Sequence, residues 1–276
     1  MSRYTRMALI LLTIGAILIF VGYTLGGSYL DLSQTPNWTG IGDTIESVIG
    51  FIRDHRRDEG SLRSFDQEYN VDPAGICDIK VNWLDGEITI KTEDVQSIMI
   101  REWGSVKNAE KDRLFYRKTG SNLIIDYSER EILNNIIDKN LEIVLPHKMS
   151  MENIRVNCMD AELDIEMPVL KTVKIECMSG EYVVKVDTEQ LFFDSMSGKL
   201  EFFGELENFR GNTMDGDVVL HLRKMSGFSL KYSSMSGSLI SEIPLLKSDE
   251  IFYCGDRKAD YQLESMSGNI TIVELP

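Results

Sequence analysis

Apolar and polar residues alternate along most of the chain after residue 64, with the period of two that β-strands show. Short alternating runs are separated by a recurring turn, Met-Ser-Gly, which occurs five times in the last 100 residues. Around one copy, Val173 and Ile175 share one face before the turn, and Tyr182 and Val184 share one face after it. The pattern therefore predicts short strands joined by a repeated turn.

The turns recur at a nearly constant spacing. Met159, Met178, Met196 and Met214 begin four successive turns, at intervals of 19, 18 and 18 residues. Further copies begin at Met225, Met235 and Met266. An antiparallel meander would also give strand–turn–strand units, but its turns favour Asn-Gly or Asp-Gly. We therefore expect an all-β domain, a β-solenoid with coils of 18–21 residues that stack at the interstrand spacing of about 4.8 Å.

The turn glycines are expected to supply a positive φ, which is costly for a residue with a Cβ atom. The predicted structural turns contain Gly86, Gly180, Gly198, Gly216, Gly227, Gly237 and Gly268. Among them, positive φ is predicted specifically for Gly180, Gly198 and Gly237. The residue before each Met is small in six of seven copies, as a sharp turn over a tight core requires. Lys224 is the exception, so the turn at Met225 is expected to lie off the main ladder.

A different pattern occupies the N-terminus. Residues 7 to 30 contain no charged side chain, and Arg3 and Arg6 precede them. The segment is long enough to span a bilayer, and the positive-inside rule places the N-terminus in the cytoplasm. A cleaved signal peptide is the alternative, but this apolar core is longer than usual and no Ala-x-Ala-like site follows it.

These patterns divide the chain into five parts. We assign residues 1–6 to the cytoplasm, 7–27 to a transmembrane helix, and 28–63 to an extracytoplasmic linker with a short amphipathic helix at about 43–57. Residues 64–150 form the irregular β-rich start of the solenoid domain, including a hairpin around Lys118–Ser121. Residues 151–276 form the regular repeats. The protein is thus expected in the cell membrane as a single-pass protein with its C-terminal domain outside.

Charge and cysteine content narrow the possible partners. The net charge of −15 argues against nucleic acid as a partner. The four cysteines show neither a CxxC motif nor a metal-site spacing. Cys158 and Cys177 occupy equivalent positions in consecutive coils, so their Cα atoms are expected about 5 Å apart, within disulfide range. Two stacked buried thiols are the other possibility, and we favour them because parallel neighbours in register point their Cβ atoms the same way.

The sequence contains no recognisable catalytic constellation. The three histidines lie apart, and nucleophile-elbow, phosphate-loop and HExxH motifs are absent. We predict no enzyme activity and no catalytic, cofactor-binding or metal-binding residues. Three acids that follow turns, Glu87, Glu162 and Glu181, are interpreted as solvated strand ends. The column of Met residues is compatible with corner packing, with a partner surface, or with a soft-metal site.

Several pieces of the chain resemble bacterial membrane-anchored "putative adhesin" β-strand-repeat proteins with the toastrack fold. They are Phe65-Asp66, Asp85-Gly86-Glu87-Ile88, Val144-Leu145-Pro146 and the serial Ser-Gly turns. The resemblance covers residues 64 to 276. This sequence differs from the family in placing Met before Ser-Gly. It implies a right-handed single-stranded β-helix, a bacterial envelope location, links to envelope-stress systems, and no known catalytic residues.

The last strand suggests where a partner would bind. No capping helix follows it, so its N–H and C=O groups are expected to be unpaired, a template for strand addition. This interaction edge comprises Asn269, Ile270, Thr271, Ile272 and Val273. A second copy of the chain or an unknown envelope protein would pair with it. The leading hypothesis is a non-enzymatic envelope protein with a structural or protein-interaction role; the alternative is a carbohydrate-binding or carbohydrate-active β-helix acting on wall polysaccharide.

Overall fold

The computed structural model describes residues 63–106, 113–128, 139–223 and 227–275. Within these ranges the regular structure consists of strands and no helix, which confirms the all-β prediction. The strands are β1 (Arg63–Val71), β2 (Asp78–Asn82), β3 (Asp85–Glu93), β4 (Ile98–Val106), β5 (Phe115–Thr119), β6 (Asn122–Asp126), β7 (Lys139–Pro146), β8 (Asn153–Gly204), β9 (Leu206–Thr213), β10 (Val218–Leu222), β11 (Gly227–Ser234), β12 (Leu239–Ser241), β13 (Leu246–Ser248), β14 (Ile251–Gly255), β15 (Ala259–Ser265) and β16 (Ile270–Glu274).

The N-terminal predictions lie outside the described residues. They are the cytoplasmic residues 1–6, the transmembrane helix 7–27, and the linker with its short helix up to residue 62. The turn at Met225 also lies outside them. In the ranges that the structure describes, no helix is long and apolar enough to cross a membrane.

Parallel pairing between equivalent segments builds a stack of coils. Leu191 in β8 lies opposite Phe209 in β9, and Leu200 in β8 lies opposite Val218 in β10; both offsets are 18 residues (209 − 191 and 218 − 200). The first coil, formed by β2 and β3, pairs with β8 in the same parallel sense. The predicted solenoid arrangement, in which each turn lies above the previous one, is therefore confirmed for the coils up to residue 222. Its handedness stays a prediction.

Each coil contributes one strand segment to each of two faces. The front face is the line of segments that precede the turns: 78–82, 153–157, 172–176, 190–195, 208–213, 260–265 and 228–234. The back face is the line of segments that follow the turns, and it includes 85–91, 160–166, 218–222 and 270–274. Inward side chains from both faces form one apolar core. The alternation along each strand thus places every second residue in that core, as its period of two predicts.

The last coils do not stack in chain order. On the front face β15 lies between β9 and β11, and on the back face β16 lies between β10 and β12. The paired residues of these strands are 52 and 31 positions apart in sequence, which equals the spacing of the Met turns (266 − 214 and 266 − 235). Residues 227–241 therefore form the outermost coil, and the C-terminal segment inserts beneath it.

The predicted interaction edge at Asn269, Ile270, Thr271, Ile272 and Val273 is consequently wrong. Ile270, Thr271 and Ile272 are paired on both sides, with β10 and with β12. Asn269 bonds across the stack too, because its backbone N–H and its side-chain amide donate to the Asp217 carboxylate at 2.8 and 2.9 Å. The physical reason is that an inserted strand satisfies its backbone groups on two sides, whereas an edge strand satisfies one.

Antiparallel strands close both ends of the stack. At one end β5 and β6 form the predicted hairpin, and β6 continues the front face by pairing with β2. The back face ends in β7, β4 and β1. At the other end β14 and β13 continue from β11. Terminal coils of a solenoid need such covers because their faces are otherwise exposed.

Five of the six small residues before the turns are buried, and the sixth, Ser234 in the outermost coil, is half-buried. Cys158, Cys177, Ser195, Thr213 and Ser265 are at most 3 % exposed. The preference for two stacked thiols is wrong, however, because Cys158 and Cys177 form a disulfide across a Cα–Cα distance of 4.6 Å. Parallel coils lie so close that rotation about the Cα–Cβ bonds brings the two sulfur atoms together.

The prediction for the turn glycines is only partly confirmed. Gly86 and Gly180 adopt positive φ, at 99° and 138°, and so does Gly227 at 145°. Gly198 and Gly237 do not, and neither do Gly216 and Gly268. In these turns glycine is required because a Cβ atom would clash with neighbouring atoms.

A Cβ atom on Gly237 would lie 1.9 Å from the carbonyl oxygen of Gly268, and one on Gly268 would lie 2.0 Å from that of Gly216. The ladder of glycines lets the turn backbones of neighbouring coils touch. Serine hydroxyls support the same turns, since the Gly198 and Gly268 N–H groups donate to Ser195 Oγ and Ser265 Oγ at 2.9 and 2.6 Å.

Candidate functional site

The Met ladder lies at the surface of the turn corner. Its half-buried members are Met159, Met178, Met196, Met214 and Met266. Met235, in the outermost coil, is 67 % exposed. The thioethers therefore form a surface stripe rather than a core layer. No group of three or more His, Cys, Asp or Glu side chains that could hold a metal ion occurs in the described ranges.

The acids that follow the turns behave as predicted. Glu87, Glu162 and Glu181 are exposed at the starts of back-face segments. They are solvated strand ends.

A groove of about 520 Å³ crosses the front face near the end of the stack that β6 covers. Its polar and aromatic lining includes Asp78, Lys80, Asn122, Asn153, Arg155, Thr172, Lys174 and Phe192. These side chains come from β6, β2 and three successive passes of β8. A groove of this size falls in the range of ordinary ligand sites. Sequence reasoning missed it because its residues are separated by up to 114 positions (192 − 78).

Three cations line up across neighbouring strands of the groove. Lys80 lies directly opposite Arg155 in the pairing of β2 with β8. Lys174 follows on the next pass, since 174 − 155 = 19 equals the sequence separation of the bonded Cys158 and Cys177. Like charges at opposite positions on adjacent strands destabilise a sheet. The fold therefore maintains this row against a local electrostatic cost.

The three cations differ in their partners. Lys174 forms an ion pair with Glu176 at 2.9 Å. Arg155 is exposed, and it forms no ion pair with any part of the chain that the structure describes. Burial, and then the charge of Arg155, lower the pKa of Lys80. Among the three, Arg155 is therefore the cation beside which an anion would be stabilised.

Polar groups on either side restrict what can bind. Asp78 accepts hydrogen bonds from Asn153 Nδ2 at 2.5 Å and from Ser121 Oγ at 2.8 Å. Burial acts to raise the pKa of Asp78, but these hydrogen bonds outweigh it and hold the pKa below its ordinary value. Asp78 is therefore a fixed negative charge beside the cations. Phe192, half-buried, supplies an apolar ring at the far end of the groove.

A second row of polar side chains lies two residues after the cations on the same strands. Glu176 is 8 % exposed, and Asp194 follows it one coil later. Burial raises the pKa of Asp194, whereas the hydrogen bond that Asn212 Nδ2 donates at 2.7 Å lowers it. Glu176 Oε2 and Asn157 Oδ1 are buried without a hydrogen-bond partner. The cationic row is thus flanked by carboxylates on both sides.

A separate pair of charges is closed to solvent. Lys139 and Glu102 form an ion pair at 2.8 Å, and both side chains are fully buried. Glu102 also accepts hydrogen bonds from Tyr69 Oη and from the Leu114 N–H, each at 3.0 Å. Lys139 Nζ lies 4.3 Å from the centre of the Tyr127 ring. This network joins β7 to β4 and has a structural role, because such a pair needs every remaining polar group satisfied.

Comparison with known proteins bears on the fold. The family model Toastrack DUF4097 matches residues 76–206. No curated protein matches the chain. Among solved structures, a "putative cell adhesion protein" from Clostridium sporogenes has 15% identity and a TM-score of 0.49, with 77% of this chain and 100% of that chain covered. A "putative adhesin" from Bacteroides fragilis has 11% identity and a TM-score of 0.47, with 78% and 99% covered. The matched residues 76–206 include β2, β3 and the three passes of β8, and in this part the chain is similar to the Toastrack DUF4097 family.

Proposed function

We propose that this protein is a membrane-anchored, extracytoplasmic β-solenoid with a non-enzymatic structural or interaction role at the bacterial cell envelope. The observation that carries the proposal is the front-face groove. Stacked coils repeat a side-chain position at every strand, so they present a row of groups at a fixed spacing to a ligand. The family match over residues 76–206 supports the fold. A role in envelope-stress sensing is part of the proposal and rests on the resemblance alone.

Two features support a domain outside the membrane. Residues 7 to 30 carry no charge and follow Arg3 and Arg6. The disulfide between Cys158 and Cys177 is of a kind that forms and persists in oxidising compartments and is rare in the cytosol. The two features agree on the side of the membrane.

The topology is tested by protease accessibility. A C-terminal epitope tag is added to the full chain, and protease is applied to intact spheroplasts. We expect the tag signal to disappear, with a cytoplasmic protein remaining intact as the control. Full protection of the tag in intact spheroplasts, with digestion only after lysis, would contradict the proposed location.

A carbohydrate-binding role is the second candidate, and one feature favours it. The groove combines an aromatic ring, Phe192, with the amide side chains of Asn122 and Asn153. Aromatic rings and amides are the groups with which proteins contact the apolar and hydroxyl faces of sugars. The two carboxylates beside the cations are held by other groups, Asp78 by hydrogen bonds from Asn153 and Ser121 and Glu176 by an ion pair with Lys174. This arrangement favours binding over hydrolysis, which uses two carboxyl groups that face the scissile bond.

A further inference from the structure

We propose that the front-face groove binds a linear acidic polysaccharide, with the acid groups held at Lys80, Arg155 and Lys174 and a sugar ring on Phe192. This inference rests on the proposed extracytoplasmic function, because it names the ligand of the same groove. The cationic row runs along the stacking direction, at about 4.8 Å per strand. An extended polymer lying along the stack would meet one side chain of this row at each coil.

The charges of the groove define the ligand as an anion. Lys80 and Arg155 are in direct register, and Arg155 lacks an ion pair within the described ranges. A bound carboxylate or phosphate between them would remove the repulsion of two like charges on adjacent strands. Guanidinium groups bind both kinds of anion through paired N–H donors.

The surroundings disfavour nucleic acid as the ligand. Asp78 on one side and Glu176 on the other flank the row with negative charge, and the whole chain carries −15. A nucleic acid, with a phosphate on every residue, would meet these carboxylates as well as the cations. A polyuronate carries each acid group on a sugar ring whose other edges are uncharged, and those edges can lie beside the carboxylates.

The remaining lining fits sugar rings. Phe192 follows Lys174 on the next pass of β8, so the aromatic ring lies in line with the cations. Asn122 and Thr172 border the same groove and offer amide and hydroxyl groups for sugar hydroxyls. An anionic lipid surface would not need these groups, and it would not fit a concave site of about 520 Å³.

Binding is measured by calorimetry with the full chain in non-ionic detergent. The probes are polygalacturonate, poly(glycerol phosphate), dextran, a single-stranded DNA oligonucleotide, and phosphatidylglycerol in mixed micelles with the same detergent. The test variant is Arg155→Gln. The matched control is Lys185→Gln, which removes one charge from an exposed back-face cation that lies near Asp164 and Glu166. Circular dichroism establishes that both variants are folded.

We expect polygalacturonate to bind, with an affinity that falls as salt is raised. Arg155→Gln should weaken it about tenfold or more, as the loss of a charge-assisted hydrogen bond implies, and Lys185→Gln should leave it unchanged. Comparable binding of poly(glycerol phosphate) that also depends on Arg155 would identify the phosphate polymer as a second source of the same chemistry.

Several results would overturn the inference. They are equal binding of dextran, tighter binding of the oligonucleotide or of the phosphatidylglycerol micelles than of polygalacturonate, equal effects of the two variants, and no binding of any acidic polymer. Failure of binding with a protease-accessible C-terminus would reject the ligand and leave the envelope role standing. A protected C-terminus would reject the proposed function whatever the groove binds in solution.

Discussion

Replacement of Gly268 by Ala tests whether close stacking, rather than backbone conformation, requires the turn glycines. Gly268 does not adopt a positive φ, so alanine is compatible with its backbone. The added Cβ atom would nevertheless lie 2.0 Å from the carbonyl oxygen of Gly216 and 2.8 Å from Ser265 Oγ. Both contacts are far inside van der Waals distance, and the first involves backbone that cannot rotate away. The turn must therefore move away from the neighbouring coil.

The cost can be worked out from these contacts. Overpacking a well-packed site typically costs about 1–3 kcal/mol. Displacement of the turn also weakens the hydrogen bond from the Gly268 N–H to Ser265 Oγ, which is 2.6 Å long and worth about 1 kcal/mol. We therefore expect a loss of about 3 kcal/mol in the free energy of unfolding. For a domain of this size that corresponds to a decrease of about 6–12 °C in melting temperature.

A matched control separates the two explanations. Gly120 lies in the β5–β6 turn with a φ of +62°, and a Cβ atom there would meet nothing within 4 Å. Gly120→Ala therefore tests backbone conformation alone, at about 1–2 kcal/mol. Both variants of the full chain are unfolded thermally and in urea, and followed by circular dichroism. If Gly268→Ala leaves the free energy of unfolding unchanged while Gly120→Ala lowers it, the stacking explanation is wrong.

Two further predictions concern the disulfide and the buried carboxylate. Replacing both Cys158 and Cys177 by Ala should lower the free energy of unfolding by about 3 kcal/mol, because the bond closes a loop with a sequence separation of 19; an unchanged urea midpoint for the double variant would contradict this. Asp194→Asn should raise the melting temperature at neutral pH, because burial raises the pKa of Asp194 and its charged form is unfavourable in the folded state. Linkage gives the sign of the pH dependence. The stability that Asp194 contributes to the wild-type protein is present below the pKa of this group in the unfolded state, and it is lost as the pH rises through its pKa in the folded state. The difference in melting temperature between the variant and the wild-type protein should therefore shrink in acid. An advantage that is the same at every pH would refute the assignment to this group.

The repeat was predictable because strand periodicity and turn chemistry are local. Val173 and Ile175 are both fully buried on the front face, as their alternation predicted. The hairpin around Gly120 and the early coil at Asp85-Gly86 were also predicted in place. Each of these inferences depends on residues within one strand and its turn.

Spatial order was not predictable, because turns with the same sequence can stack in more than one order. Met214 and Met235 are closer in sequence than Met214 and Met266, yet β15 and β16 insert between their coils. This insertion places the predicted edge strand between two partners. The state of Cys158 and Cys177 likewise depended on how closely two coils approach, which a shared register alone does not determine.

The amino-acid sequence by itself determined the strand periodicity, the small column before each turn and the positions of the turns, since these follow from side-chain alternation within about 20 residues. Only the tertiary structure decided which coils are neighbours, that glycine is needed for contact between coils at Gly237 and Gly268, and that Lys80, Arg155 and Lys174 share one groove. The physical reason is that these properties depend on distances between segments that are far apart in the chain, and such distances are set by the packing of whole coils rather than by any local preference.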